Sequence, residues 1–132
     1  MAQEYGWKKI ISVTEGGKER QDSVFLGLQQ VPQDTEIVLI HDGVRPFVTE
    51  EILERSVVAA KETGGCVAGV PAKDTIKVCD AEGFAIATPD RSTLRQIQTP
   101  QTFRRKEILA AYEKAKADGF LGTDDASVAE HS

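Results

Sequence analysis

The chain has 132 residues, 40% hydrophobic and 28% charged, with a net charge of −5 and two cysteines. That length and balance describe one soluble α/β-sized domain with a modest core. They exclude nonspecific nucleic-acid binding through a basic surface, and no apolar run approaches the roughly 18 residues of a membrane span.

The predicted elements follow in chain order. Lys8 to Val13 reads as a short strand, broken at Gly16-Gly17. Arg20 to Gln30 carries Val24, Leu28 and Val31 at helical spacing, and Pro32 closes the helix. Ile37 to Ile40 is four apolar residues in a row, the pattern of a strand buried on both faces. Thr49 then caps a helix with Glu50 and Glu51 in its first turn and Ile52, Leu53, Val57 and Ala60 as its apolar stripe. Gly64-Gly65 ends it, and Cys66 to Val70 is the next buried strand. Strand, helix, strand predicts a parallel crossover and a Rossmann-like sheet with helices on its faces.

From Pro71 the pattern changes. Thr75 to Cys79 and Phe84 to Thr88 alternate like strands, with a turn at Asp80 to Gly83. They predict an antiparallel hairpin inserted in the sheet, and an isolated hairpin needs a partner to pack on. Arg95 to Gln98 returns to the sheet, and Thr99-Pro100-Gln101 reads as a turn. Arg105 to Asp118 is a helix stopped by Gly119, and Thr123 should cap a last helix with Asp124 and Asp125 in its first turn.

The chemistry concentrates after the Ile37 strand, in His41-Asp42-Gly43-Val44-Arg45-Pro46. Ligands of open α/β sheets bind at the carboxyl ends of strands. Asp42 offers hard oxygens suited to Mg²⁺, and Arg45 a planar fork suited to phosphate. The alternative is a surface salt bridge at a strand-to-helix turn. Cys66 and Cys79 lack metal-ligand spacing; Cys66 reads as a small core residue, and the expected compartment is a reducing cytoplasm. His41 reads as a packed, hydrogen-bonded histidine, and Ser23 with Asp22 has no histidine placed as base. Neither G-x-G-x-x-G nor the P-loop spacing occurs.

Six stretches stand in one order: Gly16-Gly17-Lys18-Glu19-Arg20-Gln21-Asp22-Ser23-Val24, the His41 to Pro46 corner, Pro71-Ala72-Lys73-Asp74-Thr75-Ile76-Lys77, Asp90-Arg91, Gln98 to Phe103, and Gly122-Thr123-Asp124-Asp125-Ala126-Ser127. As an ordered set they closely resemble the 2-C-methyl-D-erythritol 4-phosphate cytidylyltransferase family, from about Ile10 to the end of the chain. The resemblance implies a partial Rossmann-like three-layer α/β/α nucleotidyltransferase sheet. It also implies a dimerisation β-arm at about 71–94 and transfer of CMP from CTP to methylerythritol phosphate with Mg²⁺. The family's opening glycine-rich loop and its closing segment are not matched, so weak or no activity is expected of this stretch by itself.

The site residues that follow are what the resemblance implies. Gly17, Lys18 and Ser23 would bind the nucleotide, with Lys18 standing where an acidic residue is frequent. Asp42 would hold the metal, and Arg45 the substrate phosphate. Thr75, Arg91, Thr99 and Thr123 would contact the substrate, Thr75 and Arg91 by reaching from the arm into a second copy. Taken singly, Thr75 is an ordinary strand residue, Arg91 a solvated charge and Gly16-Gly17 a simple turn. Two alternatives remain at this point: a cytidylyltransferase for another polyol phosphate such as ribitol 5-phosphate, or a non-catalytic remnant that dimerises through the arm.

Overall fold

A computed structural model describes residues 10–45 and 48–132. The elements are α1 (Arg20–Gln30), β1 (Ile37–Ile40), α2 (Glu50–Thr63), β2 (Gly65–Pro71), β3 (Val78–Cys79), β4 (Ala85–Ala87), β5 (Arg95–Arg104), α3 (Arg105–Asp118) and α4 (Asp125–His131). Ile10 to Val13 forms no strand, and Lys8 and Lys9 lie outside the described residues.

The main sheet has the order β1-β5-β2, and β5 runs antiparallel to both neighbours. β1 and β2 therefore point the same way, as a strand-helix-strand unit requires, but they do not touch. The parallel strand-helix-strand crossover expected from the sequence is present, with the long return strand β5 lying between its two strands. Thr99-Pro100-Gln101 is not a turn; it lies inside β5. Proline lacks the N–H of a ladder residue and is rare in central strands. Its place here is explained by register. β1 ends opposite Gln101, and pairing with β2 jumps from Val67↔Gln101 to Gly69↔Ile97. Gln98, Thr99 and Pro100 thus sit in an irregularity where no ladder bond is asked of Pro100.

Alternation along the strands divides the residues between two faces. On one, Val38 and Phe103 pack with Leu28 of α1, Ile108, Ala111, Tyr112 and Ala115 of α3, and Val128 of α4. On the other, Thr102 donates from Oγ1 to Ser56 Oγ of α2 at 3.0 Å, a buried pair that pins α2 to the sheet. The result is an α/β fold with helices on both sides of the sheet. β1 is not buried on both faces as expected: Val38 is buried, but Leu39 is 38% exposed, because β1 pairs on one side only among the described residues. Cys66 is half-buried rather than a core residue.

Local signals explain the helix ends. Thr49 Oγ1 accepts from the Ile52 N–H at 3.2 Å, and Gly64, at φ 97°, closes α2 in the left-handed region. α4 is capped by Asp124 rather than Thr123. Asp124 Oδ1 accepts from the Ser127 N–H at 2.8 Å, and Ser127 Oγ accepts from the Asp124 N–H at 3.1 Å. Asp124 is further fixed by Gln101 Nε2, which donates to its Oδ2 at 3.1 Å. β3 and β4 form the expected hairpin, separate from the main sheet, and its apolar side chains Phe84 and Ile86 are 67% and 65% exposed.

Candidate active site

The turn before α1 is built around Gly17. Its N–H donates to Ser23 Oγ at 3.0 Å, and a Cβ on Gly17 would lie 2.4 Å from Asp22 Cβ. Only glycine fits this approach. Asp22 accepts the Glu19 N–H at 3.1 Å, which closes the helix start. Gly17 and Ser23 are therefore brought together, while Lys18 beside them is exposed.

Asp42 and Arg45 face one another at the carboxyl end of β1. Arg45 N–H donates to the Asp42 carbonyl at 3.0 Å, and the His41 ring meets the Arg45 carbonyl. His41 is thus hydrogen-bonded as expected, but exposed rather than packed. Arg45 Nε lies 3.6 Å from Asp42 Oδ2, an ion pair too long for a hydrogen bond. Pro46 of this corner lies outside the described residues. The Asp42 N–H donates to Thr99 Oγ1 at 3.1 Å. Thr99, expected to touch substrate, is buried, and its hydroxyl holds the Asp42 backbone. This contact comes from the irregular stretch of β5, so the feature that accommodates Pro100 also serves the corner.

Sequence reasoning missed the residue that unites these parts. Arg20, in the first turn of α1, donates to Asp42 Oδ1 from Nε at 3.3 Å and Nη2 at 3.0 Å. It also grips Asp125, with Nη1–Oδ1 at 3.0 Å and Nη2–Oδ2 at 3.1 Å. Asp125 is fully buried and accepts a third hydrogen bond from the Tyr112 hydroxyl. Its bonds to Asp125, outweighing burial, hold the Arg20 guanidinium above its ordinary pKa. Burial first, then the Asp125 bond and charge, push the Tyr112 hydroxyl well above the tyrosine range. Both groups keep their protons at any working pH. Arg20 and Asp125 stand within motifs the sequence displays, but nothing in a linear pattern says which of two adjacent aspartates turns inward.

Gln21 ties the same helix start to the loop before α4: its Nε2 donates to the Phe120 carbonyl at 2.9 Å and its Oε1 accepts the Gly122 N–H at 2.7 Å. Thr123 borders a hollow of about 90 Å³ shared with Glu19, Arg20, Gln21 and Tyr112. Arg91 donates to the Lys73 carbonyl at 2.6 Å and, with Pro71, Asp90 and Arg95, lines a separate hollow of about 350 Å³ at the arm's base. Thr75 is exposed on the arm. Within one chain, then, Gly17, Ser23, Asp42, Arg45, Thr99 and Thr123 are linked to one neighbourhood by Arg20 and Gln21, and Thr75 and Arg91 belong to the arm.

Among the described residues no group of three His, Cys, Asp or Glu could hold a metal alone. Mg²⁺ is commonly held by one or two carboxylates plus substrate phosphates and water. Asp42, with Oδ2 free of hydrogen bonds among the described residues, fits that mode.

Comparison with known proteins points to one family. The family model for 2-C-methyl-D-erythritol 4-phosphate cytidylyltransferase (IspD) matches residues 2–132. A curated relative of that name from Alkaliphilus oremlandii is 49% identical over 126 residues, covering 96% of this chain and 53% of its own length. The crystal structure of the 4-diphosphocytidyl-2C-methyl-D-erythritol synthase from Anaerococcus prevotii superposes with a TM-score of 0.89 at 36% identity, over 96% of this chain and 56% of that one. A Thermus thermophilus 2-C-methyl-D-erythritol 4-phosphate cytidylyltransferase gives a TM-score of 0.79 at 32% identity, over 89% and 57%. The chain spans about half the length of the curated relatives it matches.

Proposed function

Because the chain belongs to the 2-C-methyl-D-erythritol 4-phosphate cytidylyltransferase family, we propose that its activity is cytidylyl transfer from CTP to 2-C-methyl-D-erythritol 4-phosphate. An oxygen of the substrate phosphate attacks the α-phosphorus of CTP. The bond from that phosphorus to the bridging oxygen breaks, and pyrophosphate leaves with the electron pair. The observation that carries this reading is the corner at the end of β1, where Asp42 lies between Arg20 and Arg45.

Nucleotidyl transfer asks a protein mainly for positioning and for cations near developing charge. Arg45, 45% exposed and only loosely paired, is free to turn its fork onto the substrate phosphate. The Gly17–Ser23 turn, with Lys18, offers backbone groups to the cytosine ring, whose amine donates and whose carbonyl accepts. Thr123 offers a hydroxyl that both donates and accepts beside Arg20. Thr99 acts by fixing Asp42. Mg²⁺ held by Asp42 would neutralise triphosphate charge when bound with the nucleotide.

The exposed hairpin supports a homodimer, since a two-stranded sheet with Phe84 and Ile86 in water is marginal without a partner. Thr75 and Arg91 on that arm would then serve the second copy's site. A reducing cytoplasm is the compartment we assign; no helix among the described residues is long and apolar enough to cross a membrane. The names carried by the family model and the relatives favour methylerythritol phosphate over ribitol 5-phosphate.

The test is pyrophosphate release from CTP with Mg²⁺ and each polyol phosphate in turn, beside a CTP-binding titration. Release that requires methylerythritol phosphate supports the reading. Equal or faster release with ribitol 5-phosphate, or a dimer that binds no CTP, contradicts it.

A further inference from the structure

We propose that Asp125 and Tyr112 form a buried anchor that holds Arg20 against Asp42, which makes Asp125 a positioning residue for the carboxylate corner. The proposal rests on the reading of Asp42 given above and deepens it.

A carboxylate with no solvent exposure is tolerated only when its oxygens are fully engaged. Asp125 meets that condition with the two-pronged Arg20 contact and the Tyr112 hydroxyl. A guanidinium is planar, so fixing one edge fixes the other. The edge turned away from Asp125 is the one that reaches Asp42, through Nε at 3.3 Å, with Nη2 shared by both carboxylates. Arg20 is 40% exposed and Asp42 32% exposed, and such a pair alone would be loosely ordered. The buried end removes that freedom.

The consequence lies at Asp42. Its Oδ1 is occupied by Arg20, and its backbone is fixed by Thr99. Only Oδ2 remains, 3.6 Å from Arg45 and without a hydrogen bond among the described residues. One oxygen is thereby presented to a hard cation or an incoming phosphate ligand in a set direction. The competing role for Asp125 is purely structural, tying α4 to α1.

The two are separated by observing a bond Asp125 does not make. Arginine ¹⁵N NMR reports solvent exchange at Arg20 Nε–H, which donates to Asp42 and not to Asp125. Asp125→Asn is expected to speed that exchange at least about tenfold. It is also expected to weaken Mn²⁺·CTP binding, followed by Mn²⁺ EPR, by about tenfold, the lower end of the loss typical when the outer support of a metal ligand is removed. Arg20→Lys, on an exposed side chain, keeps the charge but not the fork and is expected to weaken Mn²⁺·CTP binding similarly, and it supplies the binding result should Asp125→Asn fail to fold. The double variant should be no weaker than the weaker single, because both act through one contact.

Unchanged Nε–H exchange in Asp125→Asn overturns the proposal, as does full Mn²⁺·CTP affinity in Arg20→Lys or additive losses in the double variant. Asp42→Asn that binds Mn²⁺·CTP as well as the wild type refutes the reading of Asp42 and, with it, the use assigned to the anchor. Faster exchange in Asp125→Asn would then still show that the anchor holds Arg20.

Discussion

The same substitution at two glycines of the first helical segment should move stability in opposite directions. At Gly17 an added Cβ would lie 2.4 Å from Asp22 Cβ, 3.1 Å from the Asp22 carbonyl carbon and 3.2 Å from the Ser23 nitrogen. Those atoms are backbone or next to it and cannot swing aside as a side-chain tip could. Relief requires opening the turn, which costs about 1–3 kcal/mol as overpacking. Opening also breaks the Gly17 N–H bond to Ser23 Oγ, for about another 1 kcal/mol. The sum for Gly17→Ala is a loss of about 2–4 kcal/mol. Gly27, within α1, has nothing within 4 Å of its added Cβ, so Gly27→Ala should gain about 0.5–1 kcal/mol from helix propensity alone. Urea unfolding of the three proteins reads both shifts. With a slope of about 2 kcal/mol per molar urea, the midpoint should fall by about 1–2 M in one variant and rise by a few tenths in the other. CTP affinity should fall with Gly17→Ala and stay unchanged with Gly27→Ala. If Gly17→Ala unfolds at or above the wild-type midpoint, the turn does not have the close approach described.

Asp124→Ala should cost about 1–2 kcal/mol in urea unfolding, because it removes both the α4 cap and the Gln101 bond, while Thr123→Ala should stay within about 0.5 kcal/mol. A larger loss at Thr123 would return the cap to that residue. Thr99→Val should leave the fold intact yet weaken Mn²⁺·CTP binding, since it deletes only the acceptor for the Asp42 N–H; unaltered binding would show that Asp42 needs no such support. Lys114, then His131, hold the Asp118 carboxyl below its usual range. A depressed folded-state value stabilises above the unfolded value and is lost as pH falls through the folded one. Asp118→Asn should therefore lower the thermal midpoint near neutral pH, and the difference should vanish on acidification through and below the ordinary carboxylate range. A gap that persists at the acid end would mean that charge is not its cause.

Much of the fold was legible because local signals agreed. α1 and α3 begin and end where periodicity, Pro32 and Gly119 place them. The hairpin at 78–87 was legible from alternation and its turn residues. β5 was legible only in its first residues, Arg95 to Gln98, because Pro100 argues against continuing a central strand until the register break opposite Ala68 is known. That break is tertiary information. The site divided the same way. Asp42 and Arg45 announce themselves by standing after an apolar strand, and Gly17 by its doublet. Arg20 looked like an ordinary first-turn residue, and Asp125 like a helix-dipole acid. Their pairing spans more than a hundred positions and depends on α1 and α4 meeting beside Tyr112. Thr99 read as a turn residue for the same reason as Pro100.

The most direct measurement is pyrophosphate release from CTP and 2-C-methyl-D-erythritol 4-phosphate, with Mg²⁺, by the wild type and Asp42→Asn, run at protein concentrations high enough to read the weak turnover expected of a chain about half its relatives' length. Losing one preorganised group that stabilises transition-state charge typically costs a hundredfold to a thousandfold in rate, and Asp42 would act through the Mg²⁺ it holds. A loss of about a hundredfold or more in Asp42→Asn, with an unchanged fold, is the expected result. Turnover by Asp42→Asn within about threefold of the wild type would contradict the claim that this carboxylate organises the reaction.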